Sequence, residues 1–347
     1  MAEPQHATQT SQTSIADLGE FGLIERIQSV LGEPKDDQVV RGIGDDAAVY
    51  RIGEERVHVV TTDALIDGVH FDRAFVPMEY LGFKSISVNT SDVAAMNAQP
   101  RYATVALGLP SGVPAEAVES LYEGMRKACE AYGITLVGGD LTAAHRMTLA
   151  VTVIGEADEA DVVYRSGAQE GDLLCLSGDV GGAYAGLKVL LSVRNATGEG
   201  LSLAEFPYAI GRQLAPVARL DAVRVWADHG VRPTALIDVS DGVASEVHHL
   251  CAQSGLGAQI YGEALPTAEE TRQIATRFGE DPLMYALSGG EDYELLFTLA
   301  ETDLDRLEPG TFAVIGQMTA AGTDVLLHTP EGETRPLSSE GYQHFNS

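Results

Sequence analysis

Six short stretches of the chain set carboxylates beside glycine or at the ends of apolar segments. They are "GIGDDAAV" (42–49), "TTDALIDGVHF" (61–71), "NTSDVAAM" (89–96), "LVGGDLT" (136–142), "LIDVSDG" (236–242) and "SGGEDYEL" (288–295). In "ALIDVSDGVASEVHHL" (235–250), Asp238, Ser240 and Asp241 meet the start of a predicted helix with no Lys or Arg in the stretch. Singly, each has a structural explanation. Ser91-Asp92 and Ser240-Asp241 suit helix N-caps, Asp45-Asp46 a polar turn, and Glu291-Asp292 a cap on the turn after Gly289-Gly290. Together they raise an electrostatic problem. Like charges ~4 Å apart repel by about 1 kcal/mol in water and several-fold more near a protein surface. If the clusters converge, cations must offset that repulsion. Oxygen ligands without His or Cys suit Mg²⁺, and "DVSDG" lacks the alternating ligands and downstream Glu of an EF-hand.

Other chemistries find no support in the pattern. No G-x4-G-K-[ST] loop, H-E-x-x-H pair or G-x-S-x-G elbow occurs. "GIGDDA" fits the loose dinucleotide pattern, but a strand follows it and two aspartates would face a pyrophosphate. His248 and His249 read as ordinary helix residues.

These loops need a scaffold, and 347 residues suffice for two domains, each with its own core. Apolar residues make up 45%, with 37 glycines, as in a globular α/β protein with many tight turns. The formal charge of −29 argues against nucleic acid or an anionic membrane surface as partner. Only four bases are lysines: Lys35, Lys84, Lys127 and Lys188. The three cysteines are dispersed and read as core residues of a reducing cytosol. The N-terminus has neither the basic nor the apolar region of a signal peptide, and no apolar run reaches the ~20 residues of a membrane span. The expectation is a cytoplasmic protein.

Residues 1–17 are expected to be a disordered polar tail. Helical spacing begins at "FGLIERIQSVLG" (21–32) and recurs at 78–97, 114–132, 181–193, 204–214, 217–229 and 242–254. Strands are predicted at 47–52, 56–65, 102–110, 147–157, 171–178, 234–240, 257–262, 291–300, 312–318 and 324–329. A charged, glycine-bearing stretch at 156–171 marks a boundary between domains at 18–157 and 158–347. The halves echo each other, since "NTSDVAAM" and "DVSDGVAS" both place Ser-Asp ahead of a helix.

In this order, and with "SVNTSDVAAMNAQPRYATVALGLP", "RSGAQEGD" and the closing "GYQHF", the motifs resemble the thiamine-monophosphate kinase family. That family belongs to the PurM-like superfamily of aminoimidazole-ribonucleotide synthetase. The similarity runs from about residue 19 to 345. It implies a two-domain α/β (α+β) PurM-like fold, with an N-terminal sheet domain that pairs in a homodimer and a C-terminal α/β domain. It also implies Mg²⁺-dependent, in-line transfer of the ATP γ-phosphoryl group to thiamine monophosphate, giving thiamine diphosphate. Carried over by motif, Asp46, Thr61, Thr62, Asp63, Asp92, Asp140, Asp238 and Asp241 resemble ligands for several Mg²⁺ ions. Gly139, Asp140, Arg165 and Ser240 match ATP-binding positions. His70, Glu291 and Tyr342 match positions that hold the thiamine phosphate, and Asp45 stands beside a ligand position. No dedicated general base is implied.

Overall fold

The computed structural model describes residues 13–195, 202–308 and 310–339, so Tyr342 and the "GYQHF" motif lie outside the described residues. The chain opens with α1 (Ile15–Leu31), where Ser14 and Asp17 close a capping box and Gly19 breaks the helix with φ +66°. The helix therefore starts inside the segment expected as a tail.

The first half builds a six-stranded sheet from β1 (Val39–Arg41), β2 (Ala48–Arg51), β3 (Arg56–Ile66), β4 (Gln99–Leu109), β5 (Thr135–Ala143) and β6 (Thr148–Asp158), in the order β1-β2-β3-β6-β4-β5. Only β4 and β5 pair in parallel, and α3 (Ala115–Tyr132) makes the crossover that parallel neighbours require. In β6 every second residue is buried, from Leu149 to Ala157. The buried face packs on α2 (Met78–Ala95), which in turn packs on α3. The opposite face is partly exposed, with Tyr102 at 44% and Ala106 also open to solvent. Although rich in β-branched residues, α2 holds as a helix because it is buried between this sheet, α3 and the second domain.

The second half forms a seven-stranded sheet. Its strands are β7 (Leu173–Leu176), β8 (Ala235–Asp238), β9 (Gly257–Tyr261), β10 (Leu295–Leu299), β11 (Ala313–Thr319), β12 (Val325–His328) and β13 (Thr334–Pro336), in the order β13-β12-β9-β11-β7-β10-β8. Its helices are α4 (Gly182–Arg194), α5 (Pro207–Leu214), α6 (Leu220–His229), α7 (Val243–Ser254), α8 (Glu269–Phe278) and α9 (Pro282–Ser288). Alternation along β10 joins the domains. Leu295, Phe297 and Leu299 enter the core that contains Ile86 and Met96 of the first domain, while Leu296 packs with Val247 and Leu250 of α7.

Two readings of the sequence change. Ser91 and Asp92 lie within the last turns of α2 rather than ahead of a helix, so neither is an N-cap. "LVGGDLT" is the middle of β5, because a pair of glycines does not stop a strand whose backbone is held by β4. Gly139 permits that contact: a Cβ there would come within 1.9 Å of Val105 O.

Candidate active site

A cavity of about 1320 Å³ opens between the two domains, and α1 contributes Glu20 and Ile24 to its wall. Five of the six acidic motifs meet there. Asp46 comes from the turn before β2, Thr61, Thr62 and Asp63 from β3, and Asp92 from α2. Asp238, Ser240 and Asp241 come from the end of β8 and the turn into α7, and Glu291 from the loop before β10. Arg165 and His70 line the same cavity. Gly139 and Asp140 do not; they sit exposed on β5, the far edge strand of the first sheet.

Carboxylate oxygens of Asp46, Asp92 and Asp238 lie within 4.8 Å of one another, drawn from three elements and both domains. Each is aimed by a neighbour. Thr61 Oγ1 donates to Asp92 Oδ2 at 2.6 Å, and Ser91 Oγ donates to Asp238 Oδ2 at 2.6 Å. Arg165 Nε donates to Asp46 Oδ1 at 3.1 Å. Asn89, buried in α2, accepts the Asp63 N–H at 2.9 Å and so ties β3 to the helix that carries Asp92. Asp45 turns away from the cluster, accepting the Arg165 N–H at 3.2 Å and pairing with Arg41 at 3.1 Å. The Thr62 hydroxyl donates to Val151 O at 3.1 Å instead of to the acids.

The cluster is under electrostatic stress. Burial, then Asp63 and Asp238, raises the Asp92 carboxyl well above its ordinary range. Burial, then Asp46, pushes Asp238 up to about 8. Asp45 rises to about 6 through burial and its neighbour Asp46. Burial works against the charge on Arg165, but the Asp46 carboxylate outweighs it and keeps the guanidinium ionised. Asp46 Oδ2 is buried with no hydrogen-bond partner. An orphaned carboxylate oxygen inside a cluster of hard oxygen donors, with one arginine against three acids, fits a divalent cation.

At the other end of the cavity, His70 Nδ1 accepts the Ile66 N–H at 3.1 Å, which leaves Nε2 as the protonated nitrogen of the neutral ring. Glu291 has φ +68°, and its N–H donates to Ser240 O at 2.7 Å, so the loop before β10 and the "DVSDG" loop share backbone bonds. Asp292 points the other way and accepts the Gly181 and Ala183 N–H groups at the start of α4. Asp292 thus caps the start of α4 rather than the turn after Gly289-Gly290 that the sequence suggested.

Several wall residues escaped the sequence reading. Glu246, buried in the first turn of α7, accepts the Asp241 N–H at 2.9 Å, and burial, then Asp241, raises its carboxyl well above the usual range. An acid in the first turn after "DVSDG" was the available signal. His249 also lines the cavity, and burial with nearby Arg165 lowers it to about 4. Lys84 and Gln213 carried no local signal at all.

Residues 44–157 match the family model described as AIR synthase related protein, N-terminal domain, and residues 169–328 match AIR synthase related protein, C-terminal domain. Fold and cleft thus define a two-domain AIR synthase related protein. The thiamine-monophosphate kinase of Aquifex aeolicus is 37% identical over 305 residues, covering 85% of this chain and 94% of that protein. The enzyme of the same name from Escherichia coli (strain K12) is 35% identical over 340 residues, covering 94% and 98%. Among solved structures, AaThiL complexed with AMPPCP and TMP superposes with a TM-score of 0.83 at 34% identity, covering 96% of this chain and all of that one. The chain belongs to the thiamine-monophosphate kinase family.

Proposed function

We propose that this protein transfers the γ-phosphoryl group of ATP to the phosphate of thiamine monophosphate, yielding thiamine diphosphate. One observation carries the reading. Three carboxylates, Asp238 buried and Asp46 and Asp92 half-buried, converge between the domains of a chain whose relatives are thiamine-monophosphate kinases, one of them solved with an ATP analogue and TMP. The acceptor oxygen belongs to a phosphate monoester, already anionic near neutral pH, so the reaction needs no strong general base. It needs two polyanions held in line, and phosphoryl transfer depends chiefly on positioning and charge neutralisation.

Asp46, Asp63, Asp92, Asp238 and Asp241 are the carboxylates we assign to Mg²⁺, with Thr61 and Thr62 beside them. When bound, the ions neutralise phosphate charge that an acidic cleft would otherwise repel. Arg165 and Ser240 face the nucleotide phosphates, and Asp45 holds the Arg165 backbone. His70 and Glu291 receive the thiamine phosphate, and Tyr342 is assigned there by its motif. We further propose a homodimer built on the outward face of the six-stranded sheet, where Tyr102 and Ala106 are exposed. Gly139 and Asp140 lie on the edge strand of that sheet, so their expected role in ATP and metal binding belongs to the dimer rather than to the cleft of one chain. Among the described residues no helix is long and apolar enough to cross a membrane; we place the enzyme in the cytoplasm.

The test is incubation of the purified protein with ATP, thiamine monophosphate and Mg²⁺. Thiamine diphosphate should form stoichiometrically with ADP, and EDTA should stop it. Hydrolysis of ATP without thiamine diphosphate would overturn the proposal.

A further inference from the structure

Helix α2 carries a polar stripe that phosphoryl transfer leaves unused. Lys84, Ser87 and Ser91 recur at helical spacing, all buried, and each reaches the second domain. Ser91 bonds Asp238 as described, and Ser87 Oγ donates to Pro216 O at 2.6 Å. Lys84 Nζ donates to Gln213 O at 3.2 Å and pairs with Glu291 Oε1 at 2.7 Å. A lysine at 3% exposure is unusual, because taking an ammonium from water costs several kcal/mol that only well-formed partners offset. Its main partner is equally constrained. Glu291 Oε2 accepts from Gln213 Nε2 at 2.7 Å, and its backbone is tied to Ser240 in a left-handed conformation. Side chain and backbone are thus fixed from three elements, as at sites where strain serves function.

We propose that Lys84 is a positioning residue for the acceptor. It holds the Glu291 carboxylate against the cavity wall, while the same helix, eight residues further on, holds Asp92 in the acid cluster. Eight residues of α-helix span ~12 Å, so α2 sets the separation between the acceptor end and the metal end of the cleft. This rests on the kinase reading and on Glu291 as an acceptor contact. An interdomain strut with no functional part is the competing explanation; it would weaken both substrates alike.

The experiment compares wild type with Lys84→Met, Lys84→Arg, Glu291→Gln and the double variant Lys84→Met/Glu291→Gln. It reads kcat, KM for each substrate, and calorimetric binding of thiamine monophosphate in the presence of Mg²⁺ and AMPPCP. Lys84→Met should raise KM and Kd for thiamine monophosphate about tenfold, with KM for ATP within about twofold of wild type. Lys84→Arg should recover most of the loss. The double variant should bind about as weakly as Glu291→Gln alone, because both changes break one contact. Equal rises in both KM values, additive losses, or no effect of Lys84→Met would overturn the proposal. Should Lys84→Met fail to fold, Lys84→Gln takes its place, keeping a donor for Gln213 O and removing only the charge facing Glu291. The same rise in KM and Kd for thiamine monophosphate is expected, and an unchanged value would overturn the proposal. Wild-type protein that neither binds nor phosphorylates thiamine monophosphate would overturn the kinase reading as well, whereas intact wild-type turnover beside an unaffected Lys84→Met variant overturns this inference alone.

Discussion

Asp238→Asn should stabilise the metal-free protein while destroying its response to Mg²⁺. The substitution keeps an oxygen able to accept the Ser91 hydroxyl, so what changes is charge. At the 4.8 Å limit of the cluster, two ionised carboxylates repel by ~3.5 kcal/mol at an effective dielectric of 20. Arg165 neutralises Asp46 but, among the described residues, makes no hydrogen bond to Asp92 or Asp238. The native protein lowers this cost by keeping protons: Asp238 is pushed up from 3.8 to about 8. Between those values the native state binds more protons than the unfolded chain. Stability is therefore full below the unfolded value and is lost as pH rises through the window. One such carboxyl contributes a slope of ~1.4 kcal/mol per pH unit, or ~2.7 kcal/mol between about pH 5 and pH 7.

Urea denaturation of EDTA-treated protein at constant ionic strength, at about pH 5, 6 and 7, measures this slope. Wild type should lose stability with rising pH, and Asp238→Asn should lose it less steeply by about one proton's worth, ~1.4 kcal/mol per pH unit. Saturating Mg²⁺, which favours the ionised cluster, should flatten the wild-type slope, adding ~2.7 kcal/mol at a hundredfold excess over its Kd. The variant should gain far less. Parallel metal-free slopes, or equal stabilisation of both proteins by Mg²⁺, would refute the claim that these acids form one coupled site.

Three further outcomes follow from the geometry. Gly290→Ala places a Cβ about 2.4 Å from Ser240 O, so the "DVSDG" loop must shift; we expect ~1–3 kcal/mol of lost stability by thermal denaturation and a lower kcat, and unchanged values for both would contradict the contact. His70→Ala should raise KM for thiamine monophosphate more than KM for ATP in steady-state assays, whereas an equal rise would mark the histidine as structural. Tyr102→Glu, on the outward face of the first sheet, should convert the proposed dimer to monomer in sedimentation velocity, and an unchanged species would exclude that face from the interface.

The acids were legible because capping and turns could explain each pair but not the set. A turn needs one aspartate and a helix needs one cap, so repeated Asp-Asp and Ser-Asp pairs without bases implied a common counterion. Most strands and helices followed from alternation and spacing, but the short strands β1 and β13 and the glycine-bearing β5 did not. Two helices were missed despite their signals: α8 opens with Glu269 and Glu270 and ends at Gly279, and α9 has Asp281 as cap and Pro282 at its first position. Lys84 and Gln213 were illegible for another reason. Each sits in an ordinary helix, and its role exists only where α2 docks on the loop before β10. Asp140 shows the converse. Its motif looks like the others, yet β5 carries it to the opposite edge of the sheet.

The placement of the cluster has a consequence for the fold. Asp46 and Asp92 belong to the first domain and Asp238 to the second, so repulsion among them acts across the interface that Leu295 and Phe297 otherwise seal. The ties that oppose it are polar and local: Ser91 on Asp238, Lys84 on Glu291, and Ser87 on Pro216 O. A cation bound among the three acids converts repulsion between the domains into attraction. Cation binding and domain closure would then draw on the same free energy, with the polar stripe of α2 keeping the domains in register until the cleft is filled. A chain built this way has reason to leave its acids unneutralised by lysine. An ammonium fixed among them would satisfy the cluster permanently and remove the coupling that a phosphate-bound metal would supply under the proposed function.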